Sequence, residues 1–381
     1  MIYADNAATT RMSKEAIEAM LPFMDKIYGN PSSPYSFGQE AKRALEDARS
    51  RIAFCIGAEA KEITFTSGGS ESCNQAILSA ARYGALKGKK HIITTAFEHH
   101  CVLNTLARLK KEGFEVTYLD VHNTGLITPG QVLEALREDT CLVTIMYANN
   151  EIGTIEPISE IGAALEGRDV IFHTDAVQAA GHLNIDVKKE KIDMLSLSAH
   201  KFRGPKGTGI LYARRDIPLE PVITGGSQER GKRAGTENVA GICGMARALE
   251  ISVSGIDAGS LYLTALRDRL IAGLDKIPAS TLNGDRFLRL PSNVNFSFEG
   301  IRGESLLMLL DSKGILASSG SACTSGSLEP SHVLLAIGRS REAASGSLRL
   351  TLGEDITEDD IDYVISAVTD SVSYLRNMTL G

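Results

Sequence analysis

The feature that most constrains this chain is a rhythm between about Ile17 and Tyr212. An apolar run of five to eight residues is followed by a turn of small residues, then by a stretch with helical periodicity, and the unit recurs. Alternation of that kind builds a largely parallel sheet with helices on its faces. The strand candidates are 62–66, 91–96, 115–119, 142–147, 170–174, 194–198 and 209–213. The helical stretches between them are 40–56, 71–83, 102–112 and 129–136.

The pattern changes after the last of these strands. Residues 224–238 are polar and glycine-rich without apolar periodicity, and read as an ordered functional loop. A helical region over 239–277, interrupted near 252–260, leads to strand candidates 293–298 and 347–351 with helices 304–312 and 358–377. The expected division is an N-terminal arm (1–15), a large domain (16–250) and a small α+β domain (251–381). At 381 residues the chain is longer than a single ordinary core supports.

Charge and cysteine usage narrow the function classes. A net charge of -7, with no run of basic residues, argues against nucleic acid as a partner. No apolar stretch reaches the length of a membrane span, and the first residues carry an early Asp instead of a secretion signal, so a cytoplasmic location is expected. Six cysteines (55, 73, 101, 141, 243, 323) lack CxxC spacing and fit neither a disulfide framework nor a structural zinc site. No intrinsic metal is expected.

In an open parallel sheet, ligands bind beyond the carboxyl ends of the strands. Five such ends carry chemistry here. Thr66-Ser67-Gly68-Gly69-Ser70-Glu71 opens a helix whose bare N–H groups suit a phosphate. His99 follows the next strand and could stack on a flat ring or shuttle a proton. Asn149 and Asn150 follow the strand at 142–147. Asp175 ends an apolar strand, where a carboxylate needs a cationic partner such as a protonated pyridine nitrogen. Ser198-Ala199-His200-Lys201 ends another strand, and a lysine beside a hydroxyl and an imidazole is placed to hold an aldehyde cofactor as a Schiff base.

Each segment also has a plainer explanation: a strand-to-helix turn, a surface imidazole, a turn amide, a helix-capping aspartate. What carries weight is the combination, with Asp175 and Lys201 26 residues apart and each at its own strand end. Further along, residues 314–328 place a single thiol, Cys323, among small and polar neighbours that cannot form a core. An exposed thiol on such a loop reads as reactive.

Taken together, these motifs resemble the cysteine desulfurases of the NifS/IscS kind, within the aspartate-aminotransferase-like (fold type I) pyridoxal-phosphate enzymes. The resemblance runs from Tyr3-Ala4-Asp5-Asn6-Ala7-Ala8-Thr9-Thr10 through Gly29-Asn30-Pro31-Ser32-Ser33, Asn149-Asn150-Glu151-Ile152-Gly153-Thr154, Gln228-Glu229-Arg230-Gly231 and Arg233-Ala234-Gly235-Thr236-Glu237-Asn238 to Ser318–Pro330.

It implies pyridoxal 5'-phosphate on Lys201, with Asp175 at the pyridine nitrogen and Gln178 at the ring hydroxyl. His99 would stack on the ring and move protons. Gly69, Ser70, Ser198 and His200 would bind the phosphate, joined by Thr236 from the second subunit of a homodimer. Asn150 and Arg349 would face the substrate, L-cysteine. Cys323 would take its sulfur as a persulfide, leaving L-alanine, and deliver it to an iron–sulfur scaffold or another acceptor, with Cys323 able to serve as a transient iron–sulfur ligand.

Two positions depart from the pattern. Tyr35 stands where relatives often carry His, and Ser70 where Thr is common. Among alternatives, the Cys323 loop disfavours an aminotransferase, a selenocysteine lyase stays open, and retention of Lys201 and Asp175 argues against a non-catalytic scaffold.

Overall fold

The computed structural model describes residues 1–319 and 329–379. Its strands are β1 (Ile2–Tyr3), β2 (Ile63–Thr66), β3 (His91–Thr95), β4 (Glu115–Leu119), β5 (Thr140–Thr144), β6 (Ile171–Asp175), β7 (Met194–Ser198), β8 (Gly209–Ala213), β9 (Ser280–Leu282), β10 (Asn293–Phe298), β11 (Ile315–Leu316) and β12 (Ser347–Thr351).

Seven of them form one sheet in the order β2-β8-β7-β6-β5-β3-β4. Neighbours are parallel from β7 through to β4, whereas β8 runs antiparallel to both β7 and β2. That single reversal leaves β2 pointing the same way as β7. The carboxyl ends of β2, β3, β5, β6 and β7 therefore open at one edge.

Successive side chains of a strand face opposite sides, and the apolar runs serve both faces. Ile93, Val143, Phe172 and Leu195 pack into one cluster with Ile52, Leu249 and Val239 from surrounding helices. Their neighbours Ile92, Leu142, Ile171 and Met194 pack into another with Ile77 and Leu106. Strands buried on both sides are near-continuously apolar, which is why they are readable in the sequence.

A separate cluster fills the C-terminal region, where β12-β10-β9 form a three-stranded antiparallel sheet. Phe296, Phe298, Leu348 and Leu350 pack there against Leu270, Leu306 and Val368. The N-terminus reaches this region: β1 pairs in parallel with β11, and Thr351 donates to the Ala4 carbonyl at 2.7 Å.

Element boundaries differ from the sequence expectation in informative ways. The helical region after 238 breaks only at Gly255, where Val239–Ser254 meets Ile256–Leu274. Helix Ser36–Cys55 begins four residues before the expected start at 40. Helices Lys14–Asp25, which contains Pro22, and Ile158–Leu165 lie outside the expected set. No single helix among the described residues is long and apolar enough to cross a membrane.

Candidate active site

The edge where the strands end encloses a cavity of about 340 Å³ lined by residues from five strand ends and the N-terminal arm. Its lining includes Gly69, Ser70, His99, Asn150, Asp175, Gln178, Ser198, His200, Lys201 and Arg349. Ten of the positions singled out in the sequence thus meet in one place. A site of this size accommodates a small organic cofactor with a substrate.

Asp175 ends β6 and is buried, its Oδ1 accepting from the Val177 N–H at 3.0 Å. Burial pushes its carboxyl above the ordinary range, opposed by the charge of His99, the Val177 N–H, a hydrogen bond from Cys73 and the charge of Lys201. Such an acid becomes a firm anion once a cation sits against it.

Lys201 lies one turn past the end of β7, in the short 3-10 helix Ala199–Lys201. Its Nζ donates to the carbonyls of Ala7 at 2.6 Å and Ala8 at 2.8 Å. Gln178 Nε2 donates to the same Ala7 carbonyl at 3.1 Å. The N-terminal arm thus orients two of the cavity's polar side chains.

Gly69 and Ser70 open helix Gly69–Leu86 at the cavity wall. A Cβ at Gly69 would fall 2.6 Å from Val177 Cγ2, so only glycine lets this helix end approach. Its free N–H groups and dipole make an anion seat. Ser198 and His200 line the same cavity, Ser198 next to this helix end. His200 Nδ1 lies 3.2 Å from the Thr9 hydroxyl, and burial, reinforced by Lys201 and Lys206, lowers the imidazole to about 4. It is a neutral hydrogen-bonding group at neutral pH.

His99 caps helix His100–Lys111, its Nδ1 accepting from the Cys101 N–H at 3.2 Å. That bond leaves the proton of a neutral ring on Nε2. Arg349, in β12, is 2% exposed. It donates from Nη2 to Asp5 Oδ1 at 2.7 Å and from Nη1 to the Asn150 carbonyl at 3.2 Å, while its buried Nε has no partner.

Two expectations fall elsewhere. Thr236 lines a different cavity with Thr66, Ser67, Arg233 and Asn238, away from the strand-end site of its own chain. Cys323 and its neighbours from 320 to 328 lie outside the described residues. Tyr35 is exposed just ahead of helix Ser36–Cys55.

Other contributors were assigned no role from the sequence. Asp5 and the carbonyls of Ala7 and Ala8 hold the cavity's polar side chains from the N-terminal arm, and Cys101 lines the cavity two residues beyond His99. The one available clue was an acid within an otherwise small-residue N-terminal run.

The groups present fit a phosphorylated pyridine aldehyde: a helix N-terminus for a phosphate, a buried carboxylate at the cavity wall, a lysine, and an arginine with an unused donor. Comparisons with known proteins agree. The model of the class-V aminotransferases matches residues 2–364. The chain belongs to that family, whose members of this kind depend on pyridoxal phosphate.

Within it the chain falls among the cysteine desulfurases of the NifS/IscS type. It is 54% identical over 378 residues to cysteine desulfurase IscS of Methanosarcina thermophila, covering 99% of this chain and 93% of that one. A solved NifS-like protein superimposes with a TM-score of 0.91 at 38% identity, covering 98% of this chain and 99% of the other. A structure described as SspA in complex with cysteine gives a TM-score of 0.82 at 39% identity, covering 92% and 99%.

Proposed function

We propose that this chain removes sulfur from L-cysteine, leaving L-alanine and a persulfide on Cys323 that is passed to an iron–sulfur scaffold or another sulfur acceptor. The observation that carries this reading is the convergence of Lys201, Asp175, His99 and Arg349 on one cavity, in a chain related over its full length to cysteine desulfurases.

When bound, pyridoxal phosphate supplies an electron sink that stabilises negative charge developing at the substrate Cα. The remaining work falls to the protein. Lys201 would hold the cofactor covalently through its amine. Asp175, buried at the end of β6, would pair with the protonated ring nitrogen. Gln178 meets the ring hydroxyl, while Gly69, Ser70, Ser198 and His200 take the phosphate. His99 would stack on the ring and move protons there, its Nδ1 being occupied by the Cys101 N–H. Arg349 offers its unpartnered Nε to the substrate carboxylate, and Asn150 borders the same space.

The Cys323 thiolate attacks the sulfur of the bound substrate. The S–Cβ bond breaks, its electron pair returning toward the substrate carbon skeleton, and the sulfur remains on Cys323. A segment rich in Ser, Gly and Thr suits a nucleophile that must visit the cavity and then meet an acceptor.

This reading extends to a homodimer in which Thr236 completes the phosphate site of the opposite subunit, to a cytoplasmic location, and to a division into an arm (1–15), a cofactor domain (16–250) and a small domain (251–381). The cluster of residues 263–372 that includes Ala4, together with the β1–β11 pairing, supports the small domain and its arm, while Val333, Leu334, Ile337 and Ala344 pack with the core of the cofactor domain.

The test is to supply L-cysteine and measure alanine together with protein-bound persulfide. Cys323→Ser should keep the cofactor's absorbance and form no persulfide. Alanine release at the parent rate from that variant would remove Cys323 from the reaction.

A further inference from the structure

Two thiols that the reaction above does not use lie beneath the cofactor cavity. Cys73 sits in the second turn of helix Gly69–Leu86 and is fully buried, while Cys101 sits in the first turn of helix His100–Lys111 and lines the cavity. Both point toward Asp175. The ligand atoms of Cys73, Cys101 and Asp175 all lie within 4.8 Å of one another. Among the described residues this is the only such trio of His, Cys, Asp or Glu groups.

Tetrahedral zinc with two thiolates and one carboxylate oxygen sets its sulfur atoms about 3.8 Å apart and each about 3.5 Å from the oxygen. The 4.8 Å limit on the trio's separations is within about 1.3 Å of that spacing. Two of its members, Cys101 and Asp175, line the cavity. The next donor is His99 Nδ1, 3.0 Å from Cys101 Sγ. Two soft sulfur ligands select a thiophilic ion over magnesium or calcium, which require oxygen cages.

From this geometry we propose that the protein without its cofactor binds one thiophilic divalent cation, of the zinc class, through Cys73, Cys101 and Asp175. Binding releases two thiol protons to solvent and involves no change of oxidation state. Because Asp175 is the group assigned to the pyridine nitrogen, metal and cofactor exclude one another. The metal is therefore a competitor for cofactor loading. This second statement rests on the cofactor reading, whereas metal binding by the apoprotein does not.

No local pattern signals this trio, because the two cysteines stand 28 residues apart without ligand-type spacing. Only the packing of two helices against the end of β6 brings them together.

The experiment uses full-length Cys323→Ser apoprotein, so that the loop thiol does not contribute, kept reduced with a phosphine. Zinc is titrated against a chromophoric chelator, and cobalt is added separately to read thiolate-to-metal charge transfer. The expected result is one equivalent bound, with Cys73→Ser and Cys101→Ser each weakening affinity at least about tenfold and the cobalt–thiolate band lost. Should Cys73→Ser fail to fold, the less buried Cys101→Ser gives the same reading. Absence of a bound equivalent, or unchanged affinity in the variant that folds, overturns the proposal. Preloading with pyridoxal phosphate should weaken zinc binding at least about tenfold. Equal affinity for both forms overturns the competition. The cofactor assignment itself is read independently, from the absorbance of Lys201→Ala without metal.

Discussion

Asp5 and Arg349 stand 344 residues apart, yet Arg349 Nη2 donates to Asp5 Oδ1 at 2.7 Å inside the small-domain sheet. The pair sits where the N-terminal arm crosses β12, and it fixes a guanidinium that is nearly inaccessible to solvent. An arginine so held presents its remaining edge in one orientation. Preorganisation of that kind lowers the entropy lost when a carboxylate binds.

Replacing Arg349 with Lys keeps the charge but removes the planar fork. KM for L-cysteine should rise by about 10- to 100-fold, the cost of a charge-assisted hydrogen bond. Asp5→Asn should give a smaller rise of about tenfold, because the guanidinium stays in place but loses its anchor. Steady-state kinetics check both. An unchanged KM in Arg349→Lys would take this residue out of substrate binding.

Lys201→Ala should lose the visible absorbance of bound cofactor and lower turnover by at least about 10²–10⁴, the range for a positioned proton-transfer group. Its Nζ hydrogen bonds tie the strand-end turn to the N-terminal arm. Thermal stability should therefore fall by only about 1 kcal/mol alongside the loss of activity. Persistence of the absorbance in this variant would refute the assignment.

Glu151 yields a pH dependence of stability. It is buried, and burial raises its carboxyl to about 7, opposed by the Ser331 hydroxyl and the charges of Arg349 and His99. The unfolded carboxyl ionises near 4.5, the folded one near 7. Between these values the native state holds the proton that the unfolded chain has lost, so Glu151 makes stability fall as pH rises through that window and then level off. The contribution is at most about 3 kcal/mol. Glu151→Gln should flatten that part of the profile, measured as denaturation midpoints from pH 4.5 to 7. An identical slope in the variant would exclude Glu151 as its source.

What was legible in the sequence follows from the same physics. Strands β2, β3, β5, β6, β7 and β8 are buried and apolar, so their runs announce themselves, and the reactive residues that end them are found by position alone. The two-residue strands β1 and β11 are too short for periodicity. Their pairing joins residues 2–3 to 315–316, a contact no local pattern encodes. The pairing of Asp5 with Arg349 and of Cys73 with Cys101 stayed hidden for that reason. The reversed direction of β8 was equally silent, because a buried strand looks the same in either orientation.

Strand β2 lies at the sheet's edge, and its outer hydrogen-bonding groups are satisfied by a buried ion pair instead of another strand. Glu229 Oε2 accepts from the Phe65 N–H at 2.9 Å, and Arg49 Nη1 donates to the Ile63 carbonyl at 3.0 Å. The two side chains join through Nη1–Oε2 at 2.8 Å and Nη2–Oε1 at 2.7 Å, each 3% exposed. To reach this position the chain holds Glu229 and Arg230 at φ of 49° and 58°, a conformation that costs free energy unless its surroundings enforce it. Removing one member strands the other charge in the interior and uncovers an edge N–H. Glu229→Ala should therefore destabilise the protein by about 3–5 kcal/mol. Arg49→Met alone should cost a similar amount. The double variant Arg49→Met, Glu229→Leu should recover much of the loss, since no unpaired charge remains. Urea denaturation of the four proteins checks the cycle, and strictly additive losses would show that the pair does not act as a unit.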